Sequence, residues 1–294
     1  INALDKQWPK EKLFILDYSQ INLDLRMEEN IHPFKFLCDS LKEKQLIFSP
    51  TIGLDRDEAY LNALTDFINE NPDYIITIRL LEDDVENPRE TKDAIHKITS
   101  CLHIEIAKCN LIIDFKGIEN KDIDSLIDLL SEFNLILPFQ AWLSFTLAAS
   151  GFPSDLSKIS RDSNQSIQRK ELNLWRAAID GHALIGRKPN FDVLTMQRGG
   201  KIRYTTLEDW VIFKGHGFKK DGDHSQYRAL SESLIKSKHY LGEDYSWGDK
   251  RAFACAEKTV GPGSLETWIK IDTNHHLTLV GEQIASSDAF SRSH

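Results

Sequence analysis

The sequence predicts an α/β protein built on a (β/α) barrel. Three observations point there: short β-rich runs alternate with helical stretches as far as residue 140, the runs are nearly continuous in apolar residues, and the connections are short. Strands that read apolar throughout are covered on both faces, as in parallel sheets. Strand–helix alternation with short links then implies right-handed βαβ units. The barrel is TIM-like, incomplete or open on its N-terminal side, with an open doubly wound parallel sheet as the alternative. No linker stands out, so residues 1–294 read as a single barrel-like domain.

The elements follow in order. Leu13–Tyr18 (LFILDY) is a strand ending near Asp17, and the helix over 32–44 spaces Phe34, Phe36, Leu37 and Leu41 along one side. Leu46–Ile52 is the second strand and 56–69 the next helix. Tyr74–Leu80 precedes a helix over 89–108, Leu111–Phe115 precedes one over 122–132, and Asn134–Phe139 opens a fifth strand. No GxGxxG or GxxxxGK[ST] loop follows any strand, which weakens the dinucleotide and P-loop versions. The second half is less regular: a loop over 150–164, a helix over 170–179, a connection at 184–189, a segment at 191–196, residues 201–215, and a helix over 226–240. Near the end, Trp268–Asp272 reads as a strand and Leu277 onward as a closing helix, with Thr273 or Asn274 as its N-cap.

Composition narrows the class. Of 294 residues, 41% are apolar and 28% charged, which excludes collagen-like and wholly disordered chains. With 36 basic and 45 acidic side chains the net charge is −9, so the acidic total argues against a nucleic-acid partner. Residues 1–150 carry 15 basic and 27 acidic side chains; residues 151–294 carry 21 and 18. An anionic ligand would therefore meet the second half, where Arg198, Lys201 and Arg203 cluster with Lys214, Lys219 and Lys220. Cys38, Cys101, Cys109 and Cys255 show no paired-ligand spacing and read as buried thiols of a reducing, cytoplasmic setting. No stretch is long and apolar enough for a bilayer, and the first residues hold no signal core, so no membrane association is expected.

The segments HPFKFLCDSL from His32, TIGLDRDEAY from Thr51, FTLAASGFPSDLS from Phe145, IRYTTLEDWVIFKG from Ile202, YSWGD from Tyr245 and GPGSLETWIKIDTNHHLTLV from Gly261 run in order along the chain. Together they resemble the phage beta protein family, found in phages and bacterial genomes. The resemblance implies a barrel-like α/β fold and a setting in phage–host conflict, with no catalytic residues to carry over. Two departures stand out. The family begins with a further strand and helix before the position of Leu13, and it shows a Gly-Asp-Tyr step where this chain has Phe191, Asp192 and Val193.

In a parallel barrel, polar side chains at strand C-termini converge on one mouth. The strand ends supply Asp17, Thr51 with Asp55, Arg79, Asp114 and Gln140. Asp17 and Asp114 interrupt apolar runs, and Arg79 on the strand between them is the expected ion partner, because a buried carboxylate needs one. They are candidates for a catalytic or ligand-gripping mouth; an ion-pair layer that only closes the barrel is the alternative. His275 and His276 would lie in the first turn of the last helix, where free N–H groups attract phosphate, and would act as acid, base or anion ligand beside Asn274. A divalent metal joining a His to Asp17, Asp114 or Asp249 is a further option, although adjacent histidines point different ways. In DYSWGDKR, Gly248 would allow a tight turn, Asp249 would cap the following helix, and Trp247 would plug the barrel end or stack on a base. Residues 214–224 read as a mobile loop or lid.

The function expected is a component of phage–bacterium conflict, in defence or counter-defence. It would be a barrel enzyme, a hydrolase, acting on a phosphorylated small molecule or nucleotide, with catalytic Asp17, Asp114, His275 and His276. Arg79, Arg203, Trp247, Asp249 and Asn274 would bind the substrate. The alternative is a non-catalytic module that binds a protein partner in a defence system, or a nucleic acid.

Overall fold

The computed structural model describes residues 1–19, 25–27, 31–180, 190–192, 201–216 and 224–291. In chain order the elements are α1 (Asn2–Gln7), β1 (Phe14–Leu16), α2 (Pro33–Glu43), β2 (Phe48–Gly53), α3 (Glu58–Glu70), β3 (Ile76–Leu81), α4 (Glu82–Glu86), α5 (Pro88–Cys101), β4 (Cys109–Gly117), α6 (Ile123–Ile136) and β5 (Ser144–Ser150). They continue with β6 (Ser163–Gln168), α7 (Lys170–Asp180), β7 (Asn190–Asp192), β8 (Lys201–Thr205), β9 (Asp209–Lys214), α8 (Gln226–Ile235), α9 (Trp247–Ala256) and α10 (Leu265–Ser291). The chain forms two compact units: residues 1–150 with 173–194, and residues 151–172 with 195–294. Among the described residues no helix is long and apolar enough to cross a membrane.

The first unit is an α/β structure around a parallel sheet in the order β1-β2-β3-β4-β5-β7, curled into a half-barrel. Every neighbouring pair is parallel. The unbroken sequential order suits the barrel reading, and the open edges at β1 and β7 suit the open-sheet reading; a complete TIM barrel is not shown. Local chemistry starts the helices where expected. The His32 ring accepts from Phe34 N at 3.2 Å, with Pro33 in the first turn, and Asp57 accepts from Tyr60 N at 2.7 Å. The fifth strand lies later than expected. Asn134–Ile136 completes α6, Pro138 stops it, and Gln140 falls in a 3-10 turn before β5, at the end of the strand opposite the mouth.

The strands also alternate more than their apolar look suggests. One face carries Phe48, Ile52, Ile78, Leu111, Ile113 and Leu147, which pack with Phe34, Tyr60, Leu64, Phe67, Leu130 and Phe133 of the helices into one core. The other face carries Ser49, Thr51, Thr77, Arg79, Asn110, Asp114 and Thr146, all buried except Arg79. Their hydrogen bonds run one way across four strands. Ser144 donates to Asn110 (2.7 Å), Asn110 to Thr77 (3.4 Å), Thr77 to Ser49 (2.7 Å), and Ser49 to the Ile75 carbonyl (2.8 Å). Ser49 has a single proton and spends it on the carbonyl, so Thr77 is the donor in their pair.

The second unit holds an antiparallel sheet, β6-β9-β8, with α8, α9 and α10 packed around β8 and one another. Its core includes Ile202, Tyr204, Phe213, Tyr227, Leu230 and Trp268. Tyr227 and Trp268 stack at 4.9 Å between ring centroids. The expected strand at Trp268–Asp272 is instead part of the 27-residue α10. Trp268, Ile271, Asp272, His275, His276, Leu279 and Val280 are all buried, a spacing of three and four that marks one helix stripe. The local alternation of Trp268-Ile269-Lys270-Ile271 imitates a strand. Consequently neither Thr273 nor Asn274 caps the start of α10, and the two histidines lie in mid-helix.

Candidate functional site

The polar face of the half-barrel ends in a charged cluster at the carboxyl ends of β1 to β4. Arg79 is fixed first: one guanidinium nitrogen donates to Asp17 just past β1, and the other donates to Asp114 on β4. Gly53 lets the β2 end approach, because a Cβ there would collide with Asp55 Oδ1. Arg56, in the loop that follows, donates to Asp17 Oδ1 at 3.2 Å and to Asp55 Oδ1 at 2.5 Å. Asp17 also accepts from Ser19 N at 2.8 Å. Burial alone would raise the Asp17 pKa, but the Ser19 N–H, the Arg79 hydrogen bond and the two guanidinium charges together hold it below the usual range. On Arg79, burial works against the charge and is outweighed by Asp114 and Asp17, so the guanidinium is held above its ordinary range.

Lys116 completes the site. It sits at a register shift of β4 between Asp114 and Gly117, with φ 53°, a left-handed conformation uncommon outside glycine. Asp114 Oδ1 accepts from Lys116 N at 2.8 Å, which stabilises the turn. Such backbone strain persists where surrounding contacts over-determine it, and functional sites are where it gathers. Two clefts open against this residue. The first, about 350 Å³, is lined by Ser19, Asp55, Arg56, Arg79, Leu81 and Lys116. The second, about 570 Å³, is lined by Arg79, Asp114, Lys116 and the small residues Gly117, Ala148, Ala149 and Ser150. Both lie at the carboxyl edge of a parallel sheet, where ligands of α/β proteins bind.

Of the residues expected at the mouth, Asp17, Arg79, Asp114 and Asp55 meet there. Thr51 lies within β2, fully buried. The histidines and Arg203, Trp247, Asp249 and Asn274 belong to the second unit. Sequence reasoning missed Arg56, Lys116 and Ser19. Each lies one or two residues beyond a flagged acid, Ser19 and Arg56 after their strands and Lys116 at the irregular end of β4, and that proximity was the available signal.

The second unit buries its charges. His275 Nδ1 lies 2.8 Å from Asp249 Oδ2 and Nε2 lies 2.8 Å from the Thr205 carbonyl. Both partners can accept, so each ring nitrogen faces an oxygen. Asp249 also accepts from the Tyr204 hydroxyl (2.7 Å) and the Ser246 hydroxyl (2.6 Å). Burial pushes the Asp249 carboxyl up, yet the His275 hydrogen bond and charge, with those hydroxyls, hold it below its ordinary value. Asp249 is the third residue of α9 rather than its cap; Ser246 is the cap, accepting from Asp249 N at 3.1 Å. Gly248 makes no tight turn: it is where α9 meets α10, since a Cβ would strike the Ile271 carbonyl. Asn274 accepts from Gly248 N at 2.8 Å, satisfying a free donor at the start of α9. Trp247 is 53% exposed and plugs nothing.

A second layer surrounds Trp210. The Arg203 guanidinium lies 4.7 Å and the Arg169 guanidinium 5.6 Å from its ring, and the His276 ring lies 4.7 Å away. Arg169 pairs with Glu171 at 3.1 Å, both side chains fully buried. Burial, then Arg203, Arg169 and His275, push His276 down to about 2, so it stays neutral. Burial raises Asp272 to about 7, against the pull of Arg203 and Lys201. Asp272 Oδ1 and His276 Nε2 have no hydrogen-bond partner among the described residues.

The anion site expected in the second half does not form from the cluster's described members. Arg203 is buried, and Lys214 donates to the Leu156 and Ile159 carbonyls at 2.8 and 2.7 Å. Arg198, Lys219, Lys220, Val193, the 184–189 connection and most of the 214–224 loop lie outside the described residues. Among the described residues no group of three His, Cys, Asp or Glu side chains is placed to hold a metal ion. No curated protein and no solved structure matches the chain. The family model described as Beta protein matches residues 1–282 of 294, and the chain belongs to the Beta protein family.

Proposed function

We propose that the first unit is an enzyme of phage–bacterium conflict that holds a phosphorylated or nucleotide-like small molecule at the carboxyl mouth of its half-barrel. One observation carries the reading: the narrower cleft is lined by three cations, Arg56, Arg79 and Lys116, against one carboxylate, Asp55. Asp17 and Asp114 stand behind the guanidinium groups. Their ionised oxygens orient Arg79 in advance, which reduces the ordering cost of binding. Arg79 offers a planar fork matched to phosphate oxygens, and Lys116 adds an exposed point charge. Charge that develops on a phosphoryl group during transfer or hydrolysis would be met by the same three cations. Asp17 and Asp114 then act as positioning residues, a narrower role than direct catalysis, because their oxygens already accept from Arg79, Arg56, Ser19 N and Lys116 N.

Calorimetric titration of the full chain with inorganic phosphate and nucleoside monophosphates tests this. Binding that weakens at least tenfold in Arg79→Gln supports the reading, and phosphorus NMR of the same mixtures detects turnover. No binding by the wild type, or equal binding by Arg79→Gln, overturns it.

A further inference from the structure

We propose that the two clefts are one divided site for a phosphate ester of a compact, hydroxyl-bearing group of sugar size, with Lys116 as the divider. The inference rests on the phosphate reading above and adds what the rest of the ligand is. Arg79 and Lys116 line both clefts, so the two adjoin across a wall made of these two cations rather than of apolar side chains. The two linings differ in kind. The first carries the three cations, while the second has only Gly117, Ala148, Ala149 and Ser150 besides Asp114 and the shared pair. Small side chains leave width for a ligand group, and Asp114 with Ser150 offers acceptors for hydroxyl protons in a wall that is otherwise uncharged.

Gly117 is the informative position. Gly117 lines the wider cleft, no atom lies within 4 Å of where its Cβ would stand, and its φ is not left-handed, so a side chain there enters open space without striking the protein. Glycine at this place keeps the wider cleft open; the backbone does not require it. The residue thus sets specificity: anything larger fills the ester pocket and leaves the phosphate cleft, whose lining excludes Gly117, untouched.

The experiment is calorimetry on the full chain with inorganic phosphate, ribose 5-phosphate and ribose, in wild type, Gly117→Ala and Gly117→Val, with thermal melts to confirm folding. The expected wild type binds ribose 5-phosphate at least tenfold more tightly than phosphate. Gly117→Val abolishes that advantage, Gly117→Ala reduces it, and phosphate affinity stays within twofold throughout. Equal affinity of wild type for phosphate and ribose 5-phosphate overturns the inference, as does an advantage that survives in Gly117→Val. If Gly117→Val does not fold, Gly117→Ala alone decides by whether the advantage falls. Failure of wild type to bind inorganic phosphate at all overturns the underlying phosphate reading instead.

Discussion

The two units handle charge in opposite ways. The first places Asp17, Arg79 and Asp114 at a cleft edge, with side chains 22, 19 and 10% exposed, and shares each carboxylate among several donors. The second buries His275 and Asp249 at 2 and 0% and wraps them with Tyr204, Ser246 and Thr205. An ion cluster at a cleft edge, with water reaching part of each side chain, can exchange a partner for a ligand. A buried pair has no such freedom, and removing one partner strands a charge in low dielectric. On the proposed reading, the first cluster recognises a ligand and the second holds its unit together.

The sharpest way to break that contrast is Asp249→Ala or His275→Ala. Either leaves a buried charge unpaired and should cost about 3–5 kcal/mol, read by urea denaturation with near-ultraviolet dichroism. A loss as small as that of a surface pair would end the scaffolding assignment. Next comes pH. Asp272 is raised to about 7, so its folded form holds a proton that the unfolded chain releases near 4, and stability falls as pH rises between those values. His276 is lowered to about 2, so the unfolded chain takes up a proton that the folded form refuses, and stability falls as pH drops below 6.5. Between about pH 4 and 6.5 the two slopes oppose each other and nearly cancel. Asp272→Asn should uncover the histidine's slope, so the variant gains stability with rising pH by on the order of 1.4 kcal/mol per pH unit. A variant with the same flat profile as wild type would refute this.

At the mouth the effects are smaller. Arg79→Gln should cost about 1–2 kcal/mol, because Asp17 and Asp114 keep water and their backbone donors, while ligand affinity drops far more. Asp17 is held below its ordinary value, so its contribution is present above about pH 4 and is lost as pH falls through the lower folded value. Asp17→Asn should accordingly flatten acid unfolding in that range. Trp247→Ala, at an exposed position, should stay within about 0.5 kcal/mol.

Much of the first unit was legible in advance. Four strand–helix steps, the parallel pairing and the meeting of Asp17 with Arg79 and Asp114 follow from apolar runs broken by single charges at strand ends, whereas the fifth strand was placed too early. The polar layer of Ser49, Thr77, Asn110 and Ser144 was not legible, since isolated small polar residues inside apolar runs read the same on either face. In the second unit the histidines were noticed and misplaced. Four residues, Trp268–Ile271, fit a strand as well as a helix, and only the longer stripe through Val280 separates them. Of the boundaries between the units, at 150/151, 172/173 and 194/195, the first coincides with the shift in charge balance, while the second falls inside α7 and leaves no linker to read.

The amino-acid sequence determined which residues bear charge, where apolar runs recur and where helices begin, because spacing and capping act over a few residues. Only the tertiary structure decided which charges share a neighbourhood and how much water reaches them. Arg56 meets Asp17 across 39 positions and His275 meets Asp249 across 26. Solvent access, set by packing at those distances, is what makes the first a surface that can bind and the second an internal clamp.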